Sequence, residues 1–162
     1  MTLLTRVTAD SLQTVTGAFV AALLLISLIA PAAAAATATQ DVRFVESSIA
    51  TDTTWTAEDG PYRVIQDIDI APDATLTVEP GTRIELAEDI TVTVEGSLHT
   101  NGTTASPVTI SRSEGAAADR RWTSIEYDGG EDSGLRIHNT TLEGGSTGVS
   151  VASNAGSVEI VD

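Results

Sequence analysis

Gln66-Asp67-Ile68-Asp69-Ile70 and Glu88-Asp89-Ile90-Thr91-Val92 carry one pattern, 22 residues apart. Holding that offset, Asp73-Ala74-Thr75-Leu76 falls on Glu95-Gly96-Ser97-Leu98. Further along, Leu135 and Ile137 fall on Val158 and Ile160 at an offset of 23. Self-similarity at such a period is the mark of a repeat architecture. Three short strands and three turns fill 22 to 24 residues and make one coil of a parallel β-solenoid. Coils then stack at the strand spacing of ~4.8 Å. Equivalent residues form ladders, so Ile68 is expected on Ile90, and Leu76 on Leu98.

The surrounding sequence agrees. Alternating runs of β-branched residues begin at Tyr62, each closed by a turn signal: Ile68-Asp69-Ile70, Leu76-Thr77-Val78, Arg83-Ile84-Glu85-Leu86, Val108-Thr109-Ile110. Period-two alternation is the strand signal. The fold class is therefore all-β, a parallel β-helix of about four coils over residues 62–162. Residues 111–121 (SRSEGAAADRR) form an inserted loop. Residues 37–61 divide into a linker and an N-terminal cap or edge strand, the latter within residues 42–49. A β-sandwich also has short, evenly spaced strands, but it does not account for a residue-level match at offset 22. Leucine-rich repeats need a leucine and asparagine pattern that is missing.

Residues 1–36 read as a secretory signal peptide. Arg6 precedes an uncharged run over residues 17–30, then Pro31 and alanines 32–36. An apolar core followed by small residues has the form of a cleavable leader. The alternative is a retained anchor, since residues 17–36 approach the ~20 that span a bilayer. Pro31 and five alanines make a poor second half for a membrane helix, so no stable span is expected once the leader is removed. The leader has no twin-arginine pair, which points to general secretion. With no cysteine in the chain, disulfides and lipid-modified cysteine are both excluded.

The net charge is −15, with 23 carboxylates against eight basic residues. Every basic residue is arginine. Such a balance repels nucleic acid and anionic lipid. The composition resembles that of proteins from extreme halophiles. Molar salt shortens the Debye length to ~3 Å, so self-repulsion is screened while dense carboxylates keep the surface hydrated.

Pro61-Tyr62-Arg63-Val64 followed by Ala74-Thr75-Leu76-Thr77-Val78-Glu79-Pro80-Gly81-Thr82 resembles the first coil of secreted right-handed parallel β-helix proteins, the pectate-lyase-like superfold. Gly96-Ser97-Leu98, Ser106-Pro107-Val108-Thr109-Ile110 and the tryptophan-led Trp122-Thr123-Ser124-Ile125 extend the likeness to about Val151. Ser124 stands where that family usually has glycine. The resemblance implies the fold and a place outside the cell. It says less of activity, since members include surface proteins as well as polysaccharide lyases and hydrolases. Glu79-Pro80-Gly81 is a turn in which Gly81 is free to take a positive φ.

Candidate sites are few. At offset 22 Asp67 meets Asp89, placing two carboxylates ~4.8 Å apart. Oxygen clusters suit Ca²⁺, so Asp67 and Asp89 are weak metal candidates beside the plainer reading of a solvated acidic ladder. The acidic turn 128–132 lacks the spacing of a calcium loop. His99 and His138, the only histidines, have no partner spacing for zinc. Arg83 and Arg136 are basic residues of the type a lyase uses, yet no second motif converges on either. Trp55, Tyr62, Trp122 and Tyr127 are aromatic groups that either stack on sugars or pack the coils. Asn101 and Asn139 begin N-glycosylation sequons. No catalytic or cofactor-binding constellation is present.

These readings predict an exported, non-enzymatic module, extracellular or on the cell surface, acting as scaffold, adhesin or glycan-binding surface in high salt. Its partners would be carbohydrate or other surface proteins. The alternative is the N-terminal part of a polysaccharide lyase or glycoside hydrolase whose catalytic coils follow. The sequence closes within a strand at Ser157-Val158-Glu159-Ile160-Val161-Asp162. An open solenoid end is an edge prone to pairing, so a truncated product or a module needing a partner is expected.

Overall fold

A computed structural model describes residues 41–117 and 119–162. Residues 1–40, which hold the expected signal peptide and linker, lie outside the described residues; within the described residues every regular element is a strand. The strands form five three-sided turns of chain. The first has β1 (Arg43–Val45), an isolated bridge at Ile49, and β2 (Thr53–Trp55). The second has β3 (Tyr62–Val64), β4 (Ile68–Ile70) and β5 (Thr75–Val78). The third has β6 (Arg83–Leu86), β7 (Thr91–Val94) and β8 (Ser97–Asn101). The fourth has β9 (Val108–Arg112), β10 (Ser124–Tyr127) and β11 (Gly134–His138). The fifth has β12 (Thr140–Leu142), β13 (Val149–Val151) and β14 (Ser157–Val161). Residues 42–49, expected as a cap or edge strand, thus supply two sides of the first coil.

The three sides stack into three sheets: β1-β3-β6-β9-β12, β4-β7-β10-β13 and β2-β5-β8-β11-β14. Every pair of neighbouring strands is parallel. This is the arrangement of a β-helix or solenoid. Alternate residues point inward and continue from coil to coil. Leu76, Leu98 and Leu135 form one interior ladder, and Ile70, Val94 and Tyr127 another. All six are at most 3 % exposed. Burying each such aliphatic side chain is worth about 1.5–3 kcal/mol. The interior void among Trp55, Leu76, Leu98 and Ile125 measures only ≈ 20 Å³ and is lined by apolar groups, so the core is filled by side chains. At its first coil the core is covered by Trp55 stacked on Tyr62 at 4.6 Å, with Arg43 5.9 Å from the Tyr62 ring centre. In the fifth coil the inward residues Val158 and Ile160, which continue the Leu135 and Ile137 ladders, are exposed.

One expected ladder is corrected. Leu76 does pair with Leu98 at offset 22, but Ile68 pairs with Val92 and Ile70 with Val94, an offset of 24. Between the paired positions Leu86 and Val92 the chain is two residues longer than between Val64 and Ile68, and the corner after β7, Glu95-Gly96, is two shorter than residues 71–74. The exchange restores the offset of 22 one side later. It also explains Gly96, where a Cβ would run into the carbonyl oxygens of Ala71 and Ala74. Ile90 moves to the corner, yet stays buried. Asp67 and Asp89 are therefore not opposite one another. Asp67 Oδ1 instead accepts the Thr91 N–H at 2.8 Å, and Asp89 takes φ 60° at the longer corner, a conformation that Asp tolerates. Asp52 Oδ1 accepts the Thr75 N–H in the same way. Acidic residues just before a strand thus tie one coil to the next.

Charge is distributed unevenly over this frame. After residue 36, only Asp69, Glu85, Glu126 and Glu159 of 22 carboxylates lie in strands. Five of seven arginines do: Arg43, Arg63, Arg83, Arg112 and Arg136. Acidic residues are poor strand formers, and like charges in register repel. The corners carry the negative charge and the sheet faces are close to neutral.

Candidate functional site: the cleft under the inserted loop

The most irregular corner connects β9 to β10. Along β9, Val108 and Ile110 enter the core, while Thr109 and Ser111 face outward. The Ser113 N–H donates to the Leu86 carbonyl at 2.9 Å, extending the ladder one residue past the strand. The chain then turns, with Ala116 N–H donating to Ser113 O at 3.2 Å and Gly115 at φ 82°. Only glycine takes that φ freely in a turn. The loop returns along the third coil, where the Asp89 N–H donates to Arg121 O at 3.0 Å and Arg120 is ion-paired with Glu88. It ends at Trp122, 1 % exposed, whose Nε1 donates to Glu143 O at 2.9 Å.

Trp122 fixes the opposite wall. The β12–β13 corner, Glu143-Gly144-Gly145, bridges to it through Gly145, where a Cβ would collide with the indole ring. Gly144 has φ 77°, and a Cβ there would stand 3.2 Å from Arg112 Cβ, so the Arg112 stem packs beneath this turn. Between the two walls lies a cleft of ≈ 450 Å³ lined by Ser111, Arg112, Ser113, Glu114, Glu143 and Gly144 among others. That is within the ~300–1,000 Å³ of small-molecule sites. Ser113 Oγ is covered and has no hydrogen-bond partner within the described protein. A buried hydroxyl left so costs about 1–3 kcal/mol.

Beside the cleft, Ser111 is in register with Glu85 on the outer face of the first sheet. Glu85 is only 3 % exposed, and Arg63 Nε and Nη2 donate to its Oε2 at 2.8 and 2.5 Å. This pair fastens the sheet next to the cleft floor.

The other residues singled out from sequence are dispersed. His99, Arg136 and Glu159 form one outward column on the β5-β8-β11-β14 face, with His138 two residues along. Arg136 Nε donates to Glu159 Oε2 at 2.9 Å, and His138 Nε2 lies 3.5 Å from Glu159 Oε1 without a hydrogen bond. Partial burial, and then the Arg136 guanidinium, hold the His99 imidazole below its ordinary value of 6.5. Arg83 faces outward in register with Thr109. Asn101 is exposed at the end of β8, while Asn139 is half-buried with φ 40° at the next coil's corner. Trp55, Tyr62, Trp122 and Tyr127 are all buried, so none offers a ring for sugar stacking. Of the acidic turn, Gly130, Glu131 and Asp132, with Ser133, face Pro72, Asp73 and Glu95 across a smaller cleft of ≈ 210 Å³. Among the described residues no group of three His, Asp or Glu is placed to hold a metal ion. The loop was expected at residues 111–121, but Ser111 and Arg112 belong to β9 and Ser113 continues its ladder, so the irregular corner starts only after Ser113. Its opposite wall was not singled out, although the Gly144-Gly145 doublet is the signal that marks it.

No family model matches the chain, and neither curated proteins nor solved structures give a match.

Proposed function

We propose that this chain is an exported, non-enzymatic module of the right-handed parallel β-helix type that presents a glycan-binding surface outside a cell living in high salt. The cleft under the inserted loop carries the reading. It is a ligand-sized hollow lined by hydroxyls, carboxylates and a guanidinium, the groups that hydrogen-bond sugar hydroxyls. Insertions in repeat proteins map to loops on one face, often the binding face. The leader and the arginine-only, acidic composition support export and salt adaptation. Gathering carboxylates at corners leaves the sheet faces nearly neutral, so coils stack without like charges in register.

The test is binding to an array of glycans in molar salt, using mature protein and a variant in which residues 114–120 are replaced by a short Gly-containing corner. Binding by the parent that vanishes with the loop supports the proposal. Retention of every glycan signal by the variant, or cleavage of any polysaccharide by the parent, would overturn it.

A further inference from the structure

The cleft's lining sorts sugars by hydrogen-bonding type. Glu114 and Glu143 are acceptors only when ionised, the serine hydroxyls serve either way, and Arg112 is the sole charged donor lining it. Two carboxylates against one guanidinium leave the hollow acceptor-rich and net negative. A uronate or sulfate ester also brings acceptors and negative charge. Molar salt screens charge beyond ~3 Å, but it does not cure two facing acceptors in contact. Hydroxyl and ammonium groups fit instead, because they donate to carboxylates, and charge-assisted bonds of that kind are the stronger ones.

We infer that the cleft between residues 111–116 and the Glu143-Gly144 turn takes neutral or amino sugars and rejects acidic ones. This rests on the glycan-binding reading and names the substrate class of that same site. It also separates the chain from enzymes that eliminate across uronates, whose substrates the cleft would exclude.

The experiment is a titration of the mature protein in molar salt, followed by two-dimensional NMR of the indole N–H groups. The chain has two tryptophans. Trp122 Nε1–H donates to the backbone carbonyl of Glu143, which lines the cleft, whereas Trp55 lies in the first coil and serves as an internal control. Three probes are compared: a neutral glucose oligosaccharide, a glucosamine oligosaccharide and a galacturonate oligosaccharide. The first two should move the Trp122 signal alone, with the galacturonate at least roughly tenfold weaker, a difference of ~1.4 kcal/mol. Glu143→Gln should weaken the glucosamine probe roughly tenfold and narrow its advantage over galacturonate. Glu114→Gln, on an exposed turn, does the same with less risk to the fold.

Galacturonate binding as tightly as the neutral probe, with the Trp122 shift and sensitivity to both Gln variants, would overturn the sugar class and leave glycan binding standing. Binding of neutral sugars without a Trp122 shift would overturn this site. Binding of none of the three would sink the glycan-binding reading itself.

Discussion

Arg63 and Glu85 are hydrogen-bonded across adjacent strands, but they are not equally buried. The Glu85 side chain is 4 % exposed and that of Arg63 24 %. Arg63→Met preserves most of the volume and leaves the carboxylate covered and unpaired. Removing one partner of a buried pair costs about 3–5 kcal/mol. Glu85→Gln leaves a carbonyl oxygen that still accepts, and a guanidinium with a path to water. Its cost is the charge assistance alone, about 1–2 kcal/mol of the ~1.5–3 carried by such bonds. So the arginine variant should be the less stable by roughly 2 kcal/mol, a large share of the ~5–15 kcal/mol of a whole domain. Urea unfolding followed by circular dichroism measures both. The gap should persist between molar and 0.2 M salt if the protein stays folded, because buried pairs are screened weakly. Equal costs, or costs below ~1 kcal/mol as for exposed pairs, would refute the reasoning.

Asp67→Ala removes the acceptor for the Thr91 N–H and should cost about 1 kcal/mol, whereas Asp67→Asn should be close to neutral, and neither effect should depend on calcium; melts with calcium and with a chelator check this. Lowering the pH from 6.5 should destabilise the fold through His99, because its depressed native pKa lets the unfolded chain bind the proton first. Arg136→Gln should raise the His99 pKa, read by NMR titration of the imidazole. Lowering salt from molar to millimolar should melt the β-signal, since −15 charges crowd at the corners with no disulfide to restrain the unfolded chain; an unchanged spectrum would count against salt adaptation.

The repeat was legible because inward residues must alternate and must stack. What alternation cannot fix is a slip of two residues. Ile68 on Ile90 and Ile68 on Val92 put the same set of side chains inside, so the offset of 22 satisfied the pattern while the β4–β7 pair adopts 24. The deciding facts are the lengths of two corners, and Gly96 was the residue that recorded them. The facing of Asp67 and Asp89 expected at offset 22 went with that register. Gly81 was read correctly, at φ 78°. Trp122 was expected to lead a strand, but it stands as a bridge before β10 and serves as the pillar of the cleft. Glu143 passed unnoticed because it meets the loop only through coil stacking, 21 residues from its partner Trp122. The buried Glu85 was likewise hidden, since its alternation marks it as outward and solvated.

Engineered disulfides test the stacked parallel coils most directly. The chain has no cysteine, so any bridge is the designed one. Asp69 and Thr93 are paired on the outer face, and parallel neighbours at ~4.8 Å fall within the Cα range that a disulfide accepts. Asp69 and Thr91 would be neighbours at offset 22, but in this register they are diagonal at about 7–8 Å. Mild oxidation of the folded protein should close the Asp69→Cys/Thr93→Cys pair rapidly and leave Asp69→Cys/Thr91→Cys reduced. Closure of the second pair in preference to the first would contradict the register, and closure of neither would contradict the parallel stacking itself.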